Sequence, residues 1–306
     1  MPLNVVFMGT PEFSIPTLEI LVKKKFNILS VYTQPPKKSK RGQRVNPSPV
    51  EEFCKKNKLH FRTPVNLNIS EELKKFKELS PDIAIVVAYG KIIPKNYFGL
   101  AKFGFINLHA SLLPRWRGAA PIQRAIMNRE KKIGACIMKV EEKLDTGPIL
   151  ATKELILDQN ETHGDLEKKI SITGANLLVE SLKAIKDGNA KFVNQINSKA
   201  TYAKKIDKEE TKIDWNLDAD KVLSHIHGLS PTPGAWFEYE KERFKVLRAK
   251  IIKLKGTPGL VIEKNLTVGC KLNSVQILEL QRQGKKKQLA KDFLFGKKIS
   301  IGSILG

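Results

Sequence analysis

At 306 residues, with 41% hydrophobic and 28% charged, the chain is long enough for two domains with genuine apolar cores. Lys and Arg outnumber Asp and Glu by 54 to 31, and the resulting net charge of +23 points to a polyanionic partner, nucleic acid above all. No apolar run approaches the roughly 20 residues that span a bilayer, and Cys54, Cys136 and Cys270, scattered and without any Cys-x-x-Cys, support neither a disulfide framework nor a zinc ribbon.

The thiols fit a reducing cytosol, as buried packing. Met1–Phe7 has no charged stretch leading into a long apolar one, so no signal peptide is expected. Leu3–Met8 reads as a buried strand that turns at Gly9-Thr10-Pro11 into a helix over Ile15–Lys25. The glycines there do not make the Gly-x-Gly-x-x-Gly dinucleotide pattern. Ile28–Tyr32 is a second strand. Gln34–Pro49 is rich in proline and carries Lys37, Lys38, Lys40, Arg41 and Arg44, which predicts an exposed basic loop. Val50–Lys58 reads as a helix. Ser70 is placed to cap another, whose Glu71 and Glu72 suit the positive end of the helix dipole. Ile83–Ala88 is the clearest buried strand and Phe105–Leu108 the next. Pro121–Arg129 predicts a short helix, and the β-prone runs Ile133–Val140 and Ile149–Leu157 flank an Asp145-Thr146-Gly147 turn. Thr162, with Asp165 three residues on, opens a helix to about Ile185 in a capping-box arrangement.

Strands alternating with helices predict an α/β fold with a doubly wound, mostly parallel sheet over residues 1–189. A polar linker, 190–206, follows. Residues 207–306 begin with helical pattern near Asp218–Ile226. Short β-prone runs then succeed one another, broken by Gly, Pro and Asn, as in a small β-barrel. Residues 241–306 hold 16 Lys or Arg against 4 Asp or Glu, so this half is strongly basic. Trp236 and Phe237 are expected in its core. His225 and His227 lack the further ligands of a metal site. His60 and His163 are expected at the surface or as caps.

The chemistry concentrates in residues 107–121. Asn107 and His109 lie two apart at the end of a strand, so both side chains face one way. A carboxamide can donate to a developing oxyanion and an imidazole can move a proton, which is equipment for acyl-type transfer. Asp145, in a polar turn between two strands, is the carboxylate that could orient the imidazole.

The run Asn107-Leu108-His109-Ala110-Ser111-Leu112-Leu113-Pro114, with Asp145-Thr146-Gly147 downstream, resembles the formyltransferases that use 10-formyltetrahydrofolate. Arg115–Ile122, Gly9–Phe13 and Leu229–Ala235 narrow the resemblance to the branch of that family acting on methionyl-tRNA, over almost the whole chain. The resemblance implies a Rossmann-like core followed by an OB-like barrel that holds tRNA. It implies formyl transfer to the methionine α-amino group of initiator tRNA in translation initiation, with Asn107, His109 and Asp145 as the catalytic set and no metal. Val87, Tyr89, Gly90, Ser111, Leu112, Leu113 and Pro114 are the expected walls for the folate. For tRNA it implies Lys38, Lys40, Arg41 and Arg44, with Arg41 central, and it makes Lys285, Lys286, Lys287 and Lys297 candidate phosphate contacts. A monomer in a bacterial cytoplasm is expected. The rival within the family is an enzyme formylating an amino sugar or another small amine. A basic RNA-binding protein on a dead catalytic fold is disfavoured because Asn107, His109 and Asp145 are all present.

Overall fold

A computed structural model describes residues 3–39, 44–296 and 299–306. Lys40, Arg41 and Lys297, named above as tRNA contacts, lie outside the described residues. The chain divides into two compact units whose segments interleave: the first runs to Gly118 and adds Gly134–Leu155 and Glu167–Tyr202, and the second takes Ala119–Ile133, Ile156–Leu166 and Ala203–Gly306.

The first unit is built on seven strands: β1 (Asn4–Gly9), β2 (Asn27–Tyr32), β3 (Phe61–Arg62), β4 (Ile83–Val87), β5 (Phe105–His109), β6 (Lys132–Lys139) and β7 (Ile149–Ile156). Their order across the sheet is β7-β6-β5-β4-β1-β2-β3. The pairs from β3 to β5 are parallel, and β6 joins β5 antiparallel. The chain thus winds outward from β1 in one direction and returns to wind in the other. Sheets of this kind bind ligands beyond the carboxyl ends of the strands that flank such a reversal. Val6, Phe7 and Met8 are fully buried because a doubly wound sheet is covered on both faces. On one face Phe76, Tyr97 and Phe105 form a ring cluster, with Phe76 stacked on Phe105 at 5.6 Å between centroids. Helices α1 (Ile15–Lys23), α2 (Pro49–Asn57) and α3 (Ser70–Leu79) connect the early strands. Ser48 caps α2 by accepting from the Glu51 amide. Ser70 is the first residue of α3, and its N-cap is Ile69 without a side-chain bond, so the expected serine cap is not made. Lys37–Ser39 and Arg44–Asn46 pair as an antiparallel ribbon within the predicted basic loop, which places Lys38 and Arg44 on opposite strands.

After the short α4 (Pro121–Met127), the long α5 spans His163–Lys186. Its start is the predicted box: Asp165 Oδ2 accepts from the Thr162 amide at 3.0 Å, and the Asp165 amide donates to Thr162 Oγ1 at 3.3 Å. Further along, Gly174 lets the helix close on β5, since a Cβ there would lie 2.5 Å from Leu108 Cδ1.

In the second unit α6 (Ala219–Leu229) packs on an antiparallel sheet of β8 (Ala235–Tyr239), β9 (Glu242–Ile252), β10 (Val261–Glu263), β11 (Thr267–Gly269) and β12 (Ser274–Arg282), in the order β8-β9-β12-β11-β10. Strand β13 (Gln288–Leu289) adds to β12, and α7 (Ala290–Gly296) follows. The last residues tie the two edges together. Gly306 N donates to Glu238 O on β8 at 2.9 Å, and Val261 N on β10 donates to Ser303 O at 2.9 Å. The predicted barrel is therefore closed by a bridging tail, which leaves neither edge strand open. Ala219, Val222, Leu223, Ile226 and Leu229 give α6 its buried stripe, over Phe237 stacked on Phe244 at 5.4 Å. Trp236 departs from the expectation for it. Strand alternation turns it away from Phe237's side, leaving it half-buried, with the Arg243 guanidinium 3.6 Å from its ring centre and its indole N–H on Thr211 Oγ1. All three cysteines are buried, and burial pushes each thiol up to about 12.

Candidate active site

Strand β5 delivers the site. Its alternation sends Leu108 into the packing against α5, whereas Phe105, Asn107 and His109 share the opposite face. Phe105 is sealed into the ring cluster, and Asn107 and His109 stand at the strand's carboxyl end. Asn107 is half-buried, and its carboxamide makes no hydrogen bond among the described residues, so its donors are available to a ligand.

Asp145 reaches the same place from the turn between β6 and β7. His109 Nδ1 lies 3.6 Å from Asp145 Oδ2, and the two side chains are 7% and 11% exposed. The gap is slightly longer than a hydrogen bond. The other ring nitrogen, Nε2, sits 3.0 Å from the Trp116 carbonyl oxygen. A carbonyl only accepts, so Nε2 carries the proton of the neutral ring, and the Nδ1 lone pair faces the carboxylate side. A ring that takes up a second proton at Nδ1 finds Asp145 beside it. The Asp145 carboxylate is fixed in turn by the Gly118 amide, which donates to Oδ2 at 2.8 Å.

The backbone of this region is unusual. Trp116 has φ 61° and Asp145 has φ 53°, left-handed conformations that side chains other than glycine adopt rarely and that the surroundings must hold. Thr201 secures the first, accepting from the Trp116 amide through Oγ1 at 2.9 Å and from the Arg117 amide through its carbonyl at 2.9 Å. Gln195 secures the second, donating Nε2 to the carbonyls of Asp145 at 2.9 Å and Gly147 at 2.7 Å. Gly147 is required beside the strand, because a Cβ there would lie 2.0 Å from the Lys139 carbonyl oxygen.

The expected folate walls divide by exposure. Val87, Tyr89, Ser111 and Leu113 are buried, so these side chains shape the wall from behind. Ser111 Oγ donates to Arg115 O at 2.7 Å, and the Leu113 amide leans on Cys136 Sγ at 3.4 Å, which together fix the loop after β5. The Tyr89 carbonyl is occupied by Thr10 Oγ1 and Gln34 Nε2. What faces outward is Ala88, Gly90 (φ 75°), the 90% exposed Ile92, and half-buried Leu112 and Pro114. Backbone edges beside apolar side chains suit a flat heteroaromatic ring.

In the second unit Lys285, Lys286 and Lys287 are exposed beyond β12, and Lys287 pairs with Glu279 at 3.0 Å. His60 is exposed with Nδ1 on Ser30 Oγ, as expected of a surface residue. His163 is not at the surface. It is 8% exposed, its Nδ1 has no partner, and burial pulls its imidazole down to about 4. His227 is likewise buried, donating Nδ1 to Gln159 O and accepting from the Ala249 amide. No cluster of His, Cys, Asp or Glu among the described residues could hold a metal, and none of their helices is long and apolar enough to cross a membrane. Sequence reading missed Gln195 and Thr201, which sit in a stretch whose polar composition carries no signal. It named Arg117 only as part of a longer run.

The N-terminal 3–182 match the formyl transferase family and residues 205–298 its C-terminal domain. The methionyl-tRNA formyltransferase of Pelagibacter ubique (strain HTCC1062) is 45% identical over 305 residues, covering 99% of this chain and 98% of that protein. That of Chelativorans sp. (strain BNC1) is 44% identical over the full length of both. Among solved structures, HypX from Aquifex aeolicus in complex with tetrahydrofolic acid superposes with a TM-score of 0.70 at 15% identity, over 99% of this chain and 51% of that one, a likeness of fold. With both halves of the chain matched and relatives aligned end to end, this protein belongs to the methionyl-tRNA formyltransferase family.

Proposed function

We propose that the chain transfers the formyl group of 10-formyltetrahydrofolate to the α-amino group of methionine carried on initiator tRNA, as a monomer in the bacterial cytoplasm. The observation that carries the reading is the convergence of His109 and Asp145, 3.6 Å apart, at the strand end that also presents Asn107. Asn107 donates to the formyl oxygen as attack of the amine turns it into an oxyanion. His109 takes the amine's proton at Nδ1, and Asp145 balances the charge that results. The same proton passes to the folate nitrogen as its bond to the formyl carbon breaks, so the ring ends as it began. The outward Ala88 and Gly90, with Ile92, Leu112 and Pro114, receive the folate ring. The basic ribbon carrying Lys38 and Arg44, its neighbours Lys40 and Arg41, and the lysines at 285, 286, 287 and 297 hold the tRNA phosphates.

The test is formylation of charged initiator tRNA by the purified protein. Removing a single oxyanion donor typically costs about 3 kcal/mol, so Asn107→Ala is expected to lower kcat by a factor on the order of 100. His109→Ala should lose at least as much while its affinity for tRNA stays within about twofold. Equal or better formylation of a nucleotide-linked amino sugar would overturn the choice of acceptor, and full turnover by His109→Ala would overturn the catalytic assignment.

A further inference from the structure

Arg117 is the bulkiest of the fully buried side chains among the described residues, at 2% exposure, and it forms no ion pair with a carboxylate among them. Burying a guanidinium without a counter-charge is costly, and an apolar side chain of that volume would fill the space without the penalty. What the guanidinium does there is specific. Its Nε and Nη2 both donate to Gln195 Oε1, at 3.1 and 2.8 Å, and Nη2 also reaches Asn197 Oδ1 at 2.9 Å. A carboxamide looks much the same either way round, but a rigid fork on its oxygen leaves it one orientation. In that orientation both N–H groups of Gln195 point at the Asp145 and Gly147 carbonyls. The next residue, Gly118, holds the Asp145 carboxylate through its amide. Asp145 is thereby gripped from two directions by one short segment: its side chain by the backbone after Arg117, and its left-handed backbone by Arg117 acting through Gln195.

We infer that Arg117 and Gln195 are positioning residues for the formyl transfer, a relay that sets where the Asp145 carboxylate stands relative to His109. The inference rests on the catalytic reading of His109 and Asp145 given above. The relay acts on the placement of reacting groups, and misplacement by about 1 Å can cost a factor of about 100 in rate. Gln195→Ala is therefore expected to lower kcat by about that factor, with KM for tRNA and for the folate changed by no more than about twofold. Gln195→Glu separates placement from stability. A carboxylate there pairs with Arg117, which offsets part of what is lost at the two carbonyls, so the melting temperature should lie above that of Gln195→Ala. It has no N–H for the two carbonyls, so the kcat loss should be as large as in the alanine variant. Arg117→Lys, which keeps the charge but lacks the fork, should fall between parent and Gln195→Ala.

The four variants, including His109→Ala, are assayed side by side, each corrected for its folded fraction. Both Gln195 variants keeping kcat within about threefold of the parent, while His109→Ala is inactive, would sink the relay and leave the catalytic reading standing. Turnover retained by His109→Ala would remove both. A loss in Gln195→Ala that Gln195→Glu restores would mean that the pair only stabilises the fold, and that outcome also overturns the relay.

Discussion

Gly147 shows how little freedom the site allows a single residue. A methyl group there would meet the Lys139 carbonyl at 2.0 Å, and that oxygen belongs to a strand that cannot yield. Gly147→Ala must push the turn away from β6 and carry Asp145, two residues earlier, with it. Activity is expected to fall at least about tenfold together with a lower melting temperature, read from formylation and thermal melts of the purified variant. His163 makes a separate prediction, on stability against pH. Burial holds its imidazole near 4 in the folded chain, whereas an unfolded histidine titrates near 6.5. Between these values the unfolded chain binds the extra proton. The contribution of His163 is therefore complete above about 6.5 and is lost as the pH falls toward 4. Denaturant melts at pH 7 and 4.5 should show the parent losing about 2.5 kcal/mol more than His163→Gln. At this scale the sequence was readable where chemistry and spacing coincide, as for Asn107 and His109. It misplaced His163, expected at the surface or as a cap and found buried, because a histidine at a helix start looks the same whether it faces water or packing.

Elements explain why the site is where it is. The winding reverses between β1 and β4, the place where sheets of this kind take ligands, and the neighbouring β5 ends there with two functional side chains on one face. That much followed from apolar runs and strand periodicity. The start of α5 was equally legible, because Thr162 and Asp165 stand at box spacing and make the box. The start of α3 was not: an isolated serine before acidic residues can cap or can simply open the helix, and here it opens it. Trp236 and Phe237 show the same limit on a strand. Neighbouring residues must point to opposite faces, so only one could enter the core, and the pattern around them did not say which. Phe237 is the one against Phe244 and Trp215. Phe237→Ala should cost about 3–5 kcal/mol in a denaturant melt, and Trp236→Ala less, since its ring is only partly buried and lies outside the core.

At the scale of the whole molecule, charge is the dominant quantity. With a net charge of +23, tRNA binding should weaken linearly in log affinity against log salt. Two phosphate contacts already imply about a tenfold loss between 0.05 and 0.2 M. A flat salt dependence in a filter or fluorescence titration would contradict phosphate-led binding. Composition gave this expectation directly, and the family motifs gave the two-part plan. Long-range pairings were the part the sequence could not carry. His109 and Asp145 lie 36 positions apart, and Gln195 reaches back from further still, so nothing local encodes those contacts. The buried cysteines have a practical consequence of their own. Cys54 and Cys136 lie in the first unit and Cys270 in the second, and a thiol held near 12 presents almost no thiolate at neutral pH. Iodoacetamide should therefore modify each sulfur only while its surroundings are transiently open, and peptide mapping of the alkylated sites would time the breathing of the two halves independently, with no label introduced.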